Sequence, residues 1–273
     1  MKTLYISDLD GTLLNGSAEL SEYTVGVLNR LIAGGAHFSI ATARTAATTL
    51  RIFEKVAINL PMVLMNGVLV YDPAGREYVK KEVLTQAAVE GIIRAMRETG
   101  QAGLMYSLLD GEMKTYFETH AHKPLNDFIS ERKRKYNKVF TKAADFSAVT
   151  DEIIYFFFLD SQENIERVYS LTNGLCGVST AKYRDIYSEN LWYLEVFSSA
   201  ASKYSAVKFL REQGGYEEVI GFGDNLNDIP LLRACDKSFA VANAKDELKG
   251  IADAVIGSNK DDGVAKYLES IYG

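Results

Sequence analysis

The sequence predicts an α/β protein whose core is a doubly wound parallel sheet interrupted by an inserted α+β domain. Predicted strands and helices alternate through the first eighty residues and again from Leu191 onward, which is typical of a parallel sheet with helices on both faces. The segment between these two parts shows strand pairs of antiparallel type, which favours a separate α+β unit. We therefore expect a core over 1–82 and 191–273 and an inserted domain over 83–190.

The first part of the core is predicted from short apolar runs and from residues that begin or end helices. Ser21 is placed to cap a helix, and Gly34-Gly35 is placed to stop it. Asn66-Gly67 marks a turn. The predicted elements are strand 3–8, helix 21–34, strand 37–42, helix 45–57, strand 62–65 and a hairpin of 68–71 with 77–83.

The remaining elements follow from the same signals. In the inserted domain we expect helix 85–99, strands 102–107 and 112–117, helix 121–135, strands 137–141 and 153–159, helix 162–173, and strands 176–181 and 184–188. In the second part of the core we expect strand 191–197, helix 202–213, strand 218–222, helix 228–234, strand 238–242, helix 245–251, strand 254–256 and helix 262–271.

Composition argues against several classes of function. The net charge of −6 argues against a nucleic-acid-binding surface, and no apolar run approaches the roughly 18 residues of a membrane span. The first residues run directly into an acidic motif, so we expect no signal segment. Cys176 and Cys235 have no metal-binding spacing, so we expect two buried thiols in a reducing cytoplasm. The expected protein is cytoplasmic, a monomer or weak homo-oligomer, with neither nucleic acid nor a membrane as partner.

The first predicted strand ends in two carboxylates, Asp8 and Asp10, which are followed at once by Gly11 and Thr12. Residues i and i+2 of a strand point to the same side, so the two carboxylates are neighbours. Neighbouring carboxylates repel and raise each other's pKa unless a cation lies between them. A strand end of this kind suits a protein that binds a hard divalent cation or transfers a phosphoryl group.

Further polar residues fall on the same edge of the predicted sheet, although they are far apart in the sequence. Open parallel sheets bind ligands at the carboxyl ends of their strands, which is where these residues are expected. They are Thr42, Arg44, Asn66, Gly67, Lys203, Asp224, Asn225, Asn227 and Asp228.

Elementary chemistry suggests a role for each carboxylate of this edge. Asp8, Asp224 and Asp228 can hold one Mg²⁺. The backbone carbonyl of Asp10 can be a further oxygen ligand. Asp8 is the best candidate to attack phosphorus and form an aspartyl-phosphate, while Asp10 can protonate the leaving oxygen and then activate water. Thr42 and the backbone amides after Asp8 can bind the phosphoryl oxygens.

Lys203 opens the helix predicted after strand 191–197. A cation in the first turn of a helix opposes the helix macrodipole, so this position is best explained by an anion in front of the helix. There the ammonium would neutralise charge on a transferring phosphoryl group and on its aspartate partner.

Taken singly, these residues also have structural explanations. Asp8-Leu9-Asp10 can form an Asx turn, Lys203 can be a solvated surface residue, and Asp228 can cap the helix before Pro230. Thr42 alone is only a hydroxyl at a strand end. The set as a whole, in this order and position, is what points to phosphoryl chemistry.

This set resembles the four motifs of the haloacid dehalogenase-like phosphohydrolase superfamily. Its Asp-x-Asp-x-Thr motif is matched by residues 8–12, its Thr or Ser by Thr42, and its Lys by Lys203. Its Gly-Asp-x-x-Asn-Asp motif is matched by residues 223–228. The chain looks most like the Cof-type sugar-phosphatase branch, which carries a large α+β cap domain between the second and third motifs. The segment 83–190 occupies the place of that cap.

The resemblance implies a Rossmann-like core and a Mg²⁺-dependent phosphatase acting on a small phosphorylated metabolite, such as a sugar phosphate. Ala43 stands where the family more often has Gly, which concerns only the local backbone shape. The catalytic residues that we expect are Asp8, Asp10 and Lys203. The expected substrate-binding residues are Thr42, Arg44, Asn66, Gly67 and Asn227. The expected metal-binding residues are Asp8, Asp10, Asp224 and Asp228.

Substrate specificity is expected to depend on the cap, because the core binds only the phosphoryl group and the metal. The basic run 132–135, with Lys138 and Lys142 beyond it, is either a solvated helix face or a patch that attracts a polyanionic substrate. Other candidates for substrate contact in the cap are His120, His122, Tyr106, Tyr116, Tyr183, Arg184 and Tyr187.

Three functions remain open from the sequence. The leading one is hydrolysis of a phosphomonoester. A phosphomutase would return the phosphoryl group to a hexose phosphate instead of to water. A non-catalytic phospho-acceptor module would also pair acidic residues with Thr and Lys, but Asp10 argues against it because a long-lived acyl phosphate is not compatible with a neighbouring base.

Overall fold

The computed structural model describes residues 1–118, 122–185 and 190–272. The strands in chain order are β1 (Thr3–Ser7), β2 (His37–Ile40), β3 (Met62–Leu64), β4 (Leu69–Asp72), β5 (Glu77–Lys81), β6 (Leu104–Leu109), β7 (Glu112–Phe117), β8 (Thr141–Lys142), β9 (Glu152–Asp160), β10 (Val178–Arg184), β11 (Trp192–Ser198), β12 (Glu218–Gly223), β13 (Lys237–Val241) and β14 (Ala254–Ile256). The helices are α1 (Glu22–Ala33), α2 (Ala46–Ile52), α3 (Gln86–Thr99), α4 (Lys123–Tyr136), α5 (Gln162–Thr172), α6 (Lys203–Gly214), α7 (Ile229–Arg233), α8 (Asp246–Lys249) and α9 (Gly263–Tyr272).

The chain forms two compact units, Met1–Lys80 with Ser202–Gly273 and Lys81–Ala201. The first unit is built on a five-stranded sheet in the order β14-β13-β12-β1-β2, in which every neighbouring pair is parallel. The second unit is a six-stranded, mainly antiparallel sheet with helices. The predicted fold class is therefore confirmed.

Helices cover both faces of the parallel sheet. Ile6 of β1 shares an apolar cluster with Val207 of α6 and Leu231 of α7. On the opposite face the ring of Tyr5 lies 5.6 Å from the ring of Tyr272 on α9. Successive residues of a strand point to opposite faces, so this alternation along β1 buries the sheet on both sides. Because the strands are parallel, their carboxyl ends lie at one edge of the sheet.

The strand predicted over 62–65 is present as β3, but it belongs to a small antiparallel sheet in the order β3-β4-β5. It joins the parallel sheet through a bridge between Ala41 and Val63. The backbone N–H of Thr42 also donates to the carbonyl of Val63 at 2.9 Å. The turn after β3 is thereby held next to the residues that follow β2.

The second unit packs one face of its sheet against α3 and α5. Ile92 of α3 and Val168 of α5 are fully buried in one apolar cluster with Phe156 and Val196 of the sheet. The sheet order is β10-β11-β9-β6-β7-β8. Because this unit has its own sheet and its own apolar cluster, it has the anatomy of a domain.

The C-terminal boundary predicted for this unit, residue 190, lies too early in the chain. The predicted core strand 191–197 corresponds to β11, which pairs antiparallel with both β9 and β10, and the unit continues through Ala201. An apolar strand can join either sheet, and its pairing partners, which are distant in sequence, decide between them. The first boundary lies after Lys80 instead of residue 82.

Several predicted elements are shorter in the structure or are merged into one. Strands 176–181 and 184–188 are replaced by the single strand β10, and residues 186–189 lie outside the described part of the chain. The strand expected over 137–141 is reduced to β8, because Asn137 adopts a left-handed conformation with φ 51° at the end of α4. Helix 45–57 ends at Ile52.

The two cysteines differ in their surroundings, contrary to the expectation of two buried thiols. Cys176 is exposed, and Cys235 is partly buried with its sulfur 3.2 Å from the carbonyl of Leu231. In the ranges that the structure describes, no helix combines the length and the apolar character needed to cross a bilayer.

Candidate active site

Asp8 lies at the carboxyl end of β1, beside the end of β12. Its backbone N–H donates to the carbonyl of Phe222 at 2.9 Å, which continues the parallel pairing of Ser7 with Phe222. The residues that follow β12 begin at Asp224. The two strands therefore deliver Asp8 and Asp224 to one edge of the sheet, as predicted.

Lys203 is the first residue of α6, and its side chain is 1% exposed. Its Nζ donates to Asp8 Oδ1 at 2.6 Å and to Asp228 Oδ1 at 2.7 Å. Burial by itself opposes the charged form, but the carboxylates of Asp228 and Asp8 outweigh it and raise the pKa of Lys203. The ammonium therefore stays protonated between two carboxylates.

Asp228 uses both of its oxygens within the protein. Its Oδ2 accepts from the backbone N–H groups of Asp224 and Asn225, at 3.0 and 3.1 Å, while Oδ1 accepts from Lys203. A Cβ on Gly223 would lie 2.7 Å from the Cβ of Asp228, so the chain needs glycine there. These contacts hold the loop after β12 and Lys203 in one arrangement.

Asp224 contacts the turn that follows the first strand. Thr12 Oγ1 donates to Asp224 Oδ1 at 3.1 Å. Gly11 has φ +81°, and a Cβ on it would lie 2.4 Å from Asp224 Oδ2. The turn can approach this carboxylate only because residue 11 has no side chain.

The carboxylates at this edge carry more negative charge than Lys203 neutralises. Oxygens of Asp8, Asp224 and Asp228 lie within 4.8 Å of one another. Burial and the charge of Asp228 raise the pKa of Asp8, and the same two causes raise the pKa of Asp224 to about 7. Three carboxylates around one ammonium leave net negative charge, so a divalent cation with a preference for oxygen ligands fits this donor set.

Asp10 is half exposed, and its carboxylate is bound by Arg44. The Nε and Nη2 atoms of Arg44 donate to the two Asp10 oxygens at 2.7 and 2.6 Å. The backbone N–H of Arg44 donates to Thr42 Oγ1 at 3.2 Å. The carboxylate of Asp10 therefore has a different set of partners from that of Asp8, although they are two residues apart.

The turn after β3 completes this part of the edge. The backbone N–H of Asn66 donates to the carbonyl of Thr42 at 3.0 Å. Gly67 has φ +96°, and a Cβ on it would lie 2.2 Å from the carbonyl oxygen of Ser202. Asn227 is exposed in the short turn Leu226–Asp228. Ala43 lies outside the left-handed region, so alanine is tolerated there.

Sequence reasoning missed Asn243, which follows β13. Its Nδ2 donates to the carbonyl of Gly11 at 2.7 Å. The signal was available, because strand 238–242 was predicted and Asn243 is the first polar residue after it. The residues predicted for the carboxyl edge include none that follow this strand.

Three of the residues that the sequence suggests for substrate contact, Tyr183, Lys138 and Tyr106, make contacts inside the second unit. The hydroxyl of Tyr183 donates to Glu195 Oε1 at 2.7 Å, and burial raises the pKa of Glu195. Lys138 Nζ lies 4.4 Å from the ring centroid of Tyr106, which is buried. These contacts stay within the second unit, and a role in substrate contact stays a prediction.

The other cap candidates make structural contacts or cannot be placed. His122 Nε2 lies 2.6 Å from Asp160 Oδ2 at the start of α4, and Tyr116 donates its hydroxyl proton to Asp151 at 2.8 Å. In the basic run, residues 133–135 are exposed, which agrees with a solvated helix face. Two further candidates lie outside the described residues, namely His120 and Tyr187.

The fold and this edge together define the class of protein. A parallel sheet with buried carboxylates, a protonated lysine between two of them and a glycine turn at the strand ends is typical of enzymes that hydrolyse phosphate esters. Comparison with known proteins places the chain within that class. A family model described as haloacid dehalogenase-like hydrolase matches residues 5–268, and the chain belongs to that family.

Relatives support the same assignment over the whole length. Phosphatase YwpJ of Bacillus subtilis is 29% identical over 99% of this chain and 100% of its own. Pyridoxal phosphate phosphatase YbhA of Escherichia coli is 24% identical over 96% of both chains. A haloacid dehalogenase-like hydrolase from Bacteroides thetaiotaomicron has a similar fold, with a TM-score of 0.82, 23% identity, and coverage of 99% of this chain and 100% of its own. The protein is an enzyme, a phosphoric monoester hydrolase of the Cof-type branch.

Proposed function

We propose that this enzyme is a Mg²⁺-dependent phosphatase that hydrolyses a small phosphorylated metabolite through an aspartyl-phosphate, with sugar phosphates as the preferred class. The observation that carries the proposal is the buried contact of Lys203 Nζ with Asp8 Oδ1 at 2.6 Å. A nucleophilic carboxylate must be ionised, and a buried ammonium favours that form.

In the first step an oxygen of Asp8 attacks phosphorus, and the bond from phosphorus to the leaving oxygen breaks. Asp10 gives its proton to that leaving oxygen. The hydroxyl of Thr42, the amides after Asp8 and the side chain of Lys203 bind the phosphoryl oxygens and the developing charge. Arg44, with Asn66, Gly67 and Asn227, is proposed to contact the substrate.

In the second step water attacks the aspartyl-phosphate, and Asp10 takes its proton. The bond from phosphorus to the Asp8 oxygen breaks, which releases phosphate and restores the carboxylate. The bidentate contact from Arg44 holds the ionised Asp10 carboxylate in place before it takes this proton. Asp10 thus serves once as acid and once as base.

Asp8, Asp224 and the backbone carbonyl of Asp10 would hold the Mg²⁺, with Asp228 as the remaining member of the acidic cluster. When bound, Mg²⁺ neutralises charge on the phosphoryl group and orients it. The bonds from Asp228 to Lys203 and to two backbone N–H groups position the residues around the ion.

The proposal extends to the setting of the enzyme. The substrate is a small phosphorylated molecule; the relative YbhA is named for pyridoxal phosphate, which is one such compound. We infer a cytoplasmic enzyme, a monomer or weak homo-oligomer, with neither nucleic acid nor a membrane as partner.

The test is release of phosphate from p-nitrophenyl phosphate and from a panel of sugar phosphates and pyridoxal phosphate, with Mg²⁺ and with EDTA. We expect activity only with the metal and none in Asp8→Asn. Full activity in Asp8→Asn would overturn the role of Asp8. With a hexose 1-phosphate, isomerisation without free phosphate would overturn hydrolysis in favour of a mutase.

A further inference from the structure

Two asparagines from the C-terminal part of the chain hold the turn that follows the nucleophile. Asn243 Nδ2 donates to the carbonyl of Gly11 at 2.7 Å. Asn259 Nδ2 donates to the carbonyl of Leu14 at 2.8 Å. Within the turn, the N–H of Leu14 donates to the carbonyl of Leu9 at 2.9 Å. Side chains from two other loops therefore fix its middle and its end.

The two asparagines are also bonded to each other. The Oδ1 atom of Asn243 accepts from the backbone N–H of Asn259 at 3.0 Å and from the hydroxyl of Ser258 at 3.3 Å. Asn259 is 7% exposed. The side-chain amide of Asn243 thus acts as donor and acceptor at once, which fixes its orientation.

The carbonyl that Asn243 holds is coupled to the reacting groups. A trans peptide is planar, so the direction of the Gly11 carbonyl sets the direction of the Thr12 N–H. Gly11 packs against Asp224, and Thr12 donates its hydroxyl to Asp224 at 3.1 Å. A rotation of this peptide would therefore move the residues between Asp8 and Thr12 relative to Asp224.

We propose that Asn243, supported by Asn259, is a positioning residue that aligns Asp10 and the amides after Asp8 for phosphoryl transfer. This inference rests on the proposed function. Asn243 acts through the turn and does not itself touch the reacting atoms. Its removal therefore affects the transition state, in which the amides must meet the phosphoryl oxygens, more than it affects ground-state binding.

A matched control exists on α1. Asn29 also bridges two segments of the first unit through both ends of its amide, since Nδ2 donates to the carbonyl of Lys55 at 2.8 Å and Oδ1 accepts from the N–H of Ala57 at 2.8 Å. Asn29→Ala loses the same kind of bonds as Asn243→Ala without touching the turn after Asp8.

The experiment measures kcat, KM and the melting temperature of both variants with p-nitrophenyl phosphate and Mg²⁺. We expect Asn243→Ala to lower kcat by about 10- to 100-fold with KM changed by less than about threefold. Asn29→Ala should keep the wild-type kcat at a similar loss of melting temperature. If Asn243→Ala keeps kcat within about twofold of Asn29→Ala, the inference is overturned.

A second variant keeps the test decisive if the alanine does not fold. Asn243→Asp preserves the shape and the acceptor to Asn259 but loses the donor to Gly11, so we expect the same loss of kcat. A full kcat in a folded Asn243→Asp protein contradicts the inference. Absence of activity in the wild-type enzyme would instead refute the proposed function, which separates the two failures.

Discussion

Lys203 neutralises part of the negative charge of the site, because its single ammonium lies between two buried carboxylates. Both hydrogen bonds are charge-assisted, and the buried ammonium and carboxylates do not have bulk water as an alternative partner. The lysine therefore serves both the stability of the first unit and the ionisation of the proposed nucleophile. A change at this residue has to be tested on both properties.

We predict that Lys203→Met, which keeps the length of the side chain without its charge, lowers the free energy of unfolding by about 3–5 kcal/mol. The loss arises because the carboxylates of Asp8 and Asp228 remain buried without a cation. The kcat should fall at least about 100-fold. Urea unfolding and phosphate release measure the two effects. Lys208 is exposed on the same helix, so Lys208→Met provides the control. Wild-type stability in Lys203→Met would contradict a stabilising role of the ammonium.

Arg44 influences the proposed chemistry through a second residue, Asp10, whose carboxylate it binds. We predict that Arg44→Ala slows hydrolysis of alkyl phosphates by about 10-fold or more, and slows p-nitrophenyl phosphate less, because a good leaving group needs little protonation. The reason is the loss of the bidentate contact that holds Asp10. Rates across a series of leaving groups measure the effect.

A double variant tests whether Arg44 works through Asp10. In an Asp10→Asn background, Arg44→Ala should have little further effect, because the group that it positions is already absent. Independent, multiplicative losses would show that Arg44 acts mainly through its proposed contact with the substrate and not through Asp10.

At the scale of elements, the turn after β3 and the start of α6 are in close contact through Gly67. A Cβ at residue 67 would lie 2.2 Å from the carbonyl oxygen of Ser202 and 3.0 Å from the backbone nitrogen of Lys203. The position of Lys203 therefore depends on a glycine in a different part of the chain. The backbone at Gly67 also has φ +96°, which disfavours any other residue.

Gly67→Ala tests this contact, with Gly35→Ala as its control. Gly35 has φ +90° and nothing within 4 Å of a Cβ, so its substitution costs only the backbone strain of about 1–2 kcal/mol. Gly67→Ala should cost about 1–3 kcal/mol more, because α6 or the turn must shift. It should also lower kcat, since Lys203 moves. Equal stability of the two variants in urea unfolding would contradict a tight contact at Gly67.

The segment after α4 has a pH-dependent stability of its own. Burial lowers the pKa of Lys138 to about 7, with the charge of Arg132 as a second cause. A lysine in an unfolded chain has a pKa of about 10.4. Because the folded pKa is depressed, the stabilising contribution is present above the unfolded value and is lost as the pH falls from about 10 to about 7.

We predict that the wild type loses stability relative to Lys138→Met as the pH is lowered from about 9.5 to about 7. Lys138→Met lacks the titrating group, so its own unfolding should depend less on pH in this window. Lys133→Met, at an exposed position, should follow the wild type. Urea midpoints at both pH values measure the difference, and a constant difference would contradict the burial of the ammonium.

At the scale of the whole molecule, local signals in the sequence predict local structure well. Ser21 caps α1 through its side chain, and Gly100 ends α3 in a left-handed conformation, as their residue types indicate. The predictions that fail depend on contacts between residues that are distant in the sequence. The sheet that β11 joins is decided by its pairing with β9, which no pattern within 191–197 reveals.

The candidate site shows the same division between local and non-local information. The aspartates and glycines at the strand ends carry strong local signals, and the rule that parallel strands end at one edge brings them together. The bond between Asn243 and Gly11 links a side chain to a backbone carbonyl of a distant turn, so residue types alone do not identify it. Likewise, the two backbone N–H groups bound by Asp228 emerge only from the geometry.

We expect Mg²⁺ binding to increase the stability of the folded protein, an effect that can be measured independently of catalysis. The acidic cluster of Asp8, Asp224 and Asp228 contains three carboxylates for one ammonium, so a divalent cation relieves repulsion in the folded state alone. At a Mg²⁺ concentration about 100 times the dissociation constant, the folded state gains about 2.7 kcal/mol. We therefore expect the melting temperature of the metal-free protein to rise by roughly 5–10 °C on addition of Mg²⁺. Asp224→Asn should lose this rise, whereas Asp246→Asn, with a side chain that is 98% exposed, should keep it. A rise that survives in Asp224→Asn would place the ion elsewhere, because a ligand stabilises the folded state only through the groups that bind it.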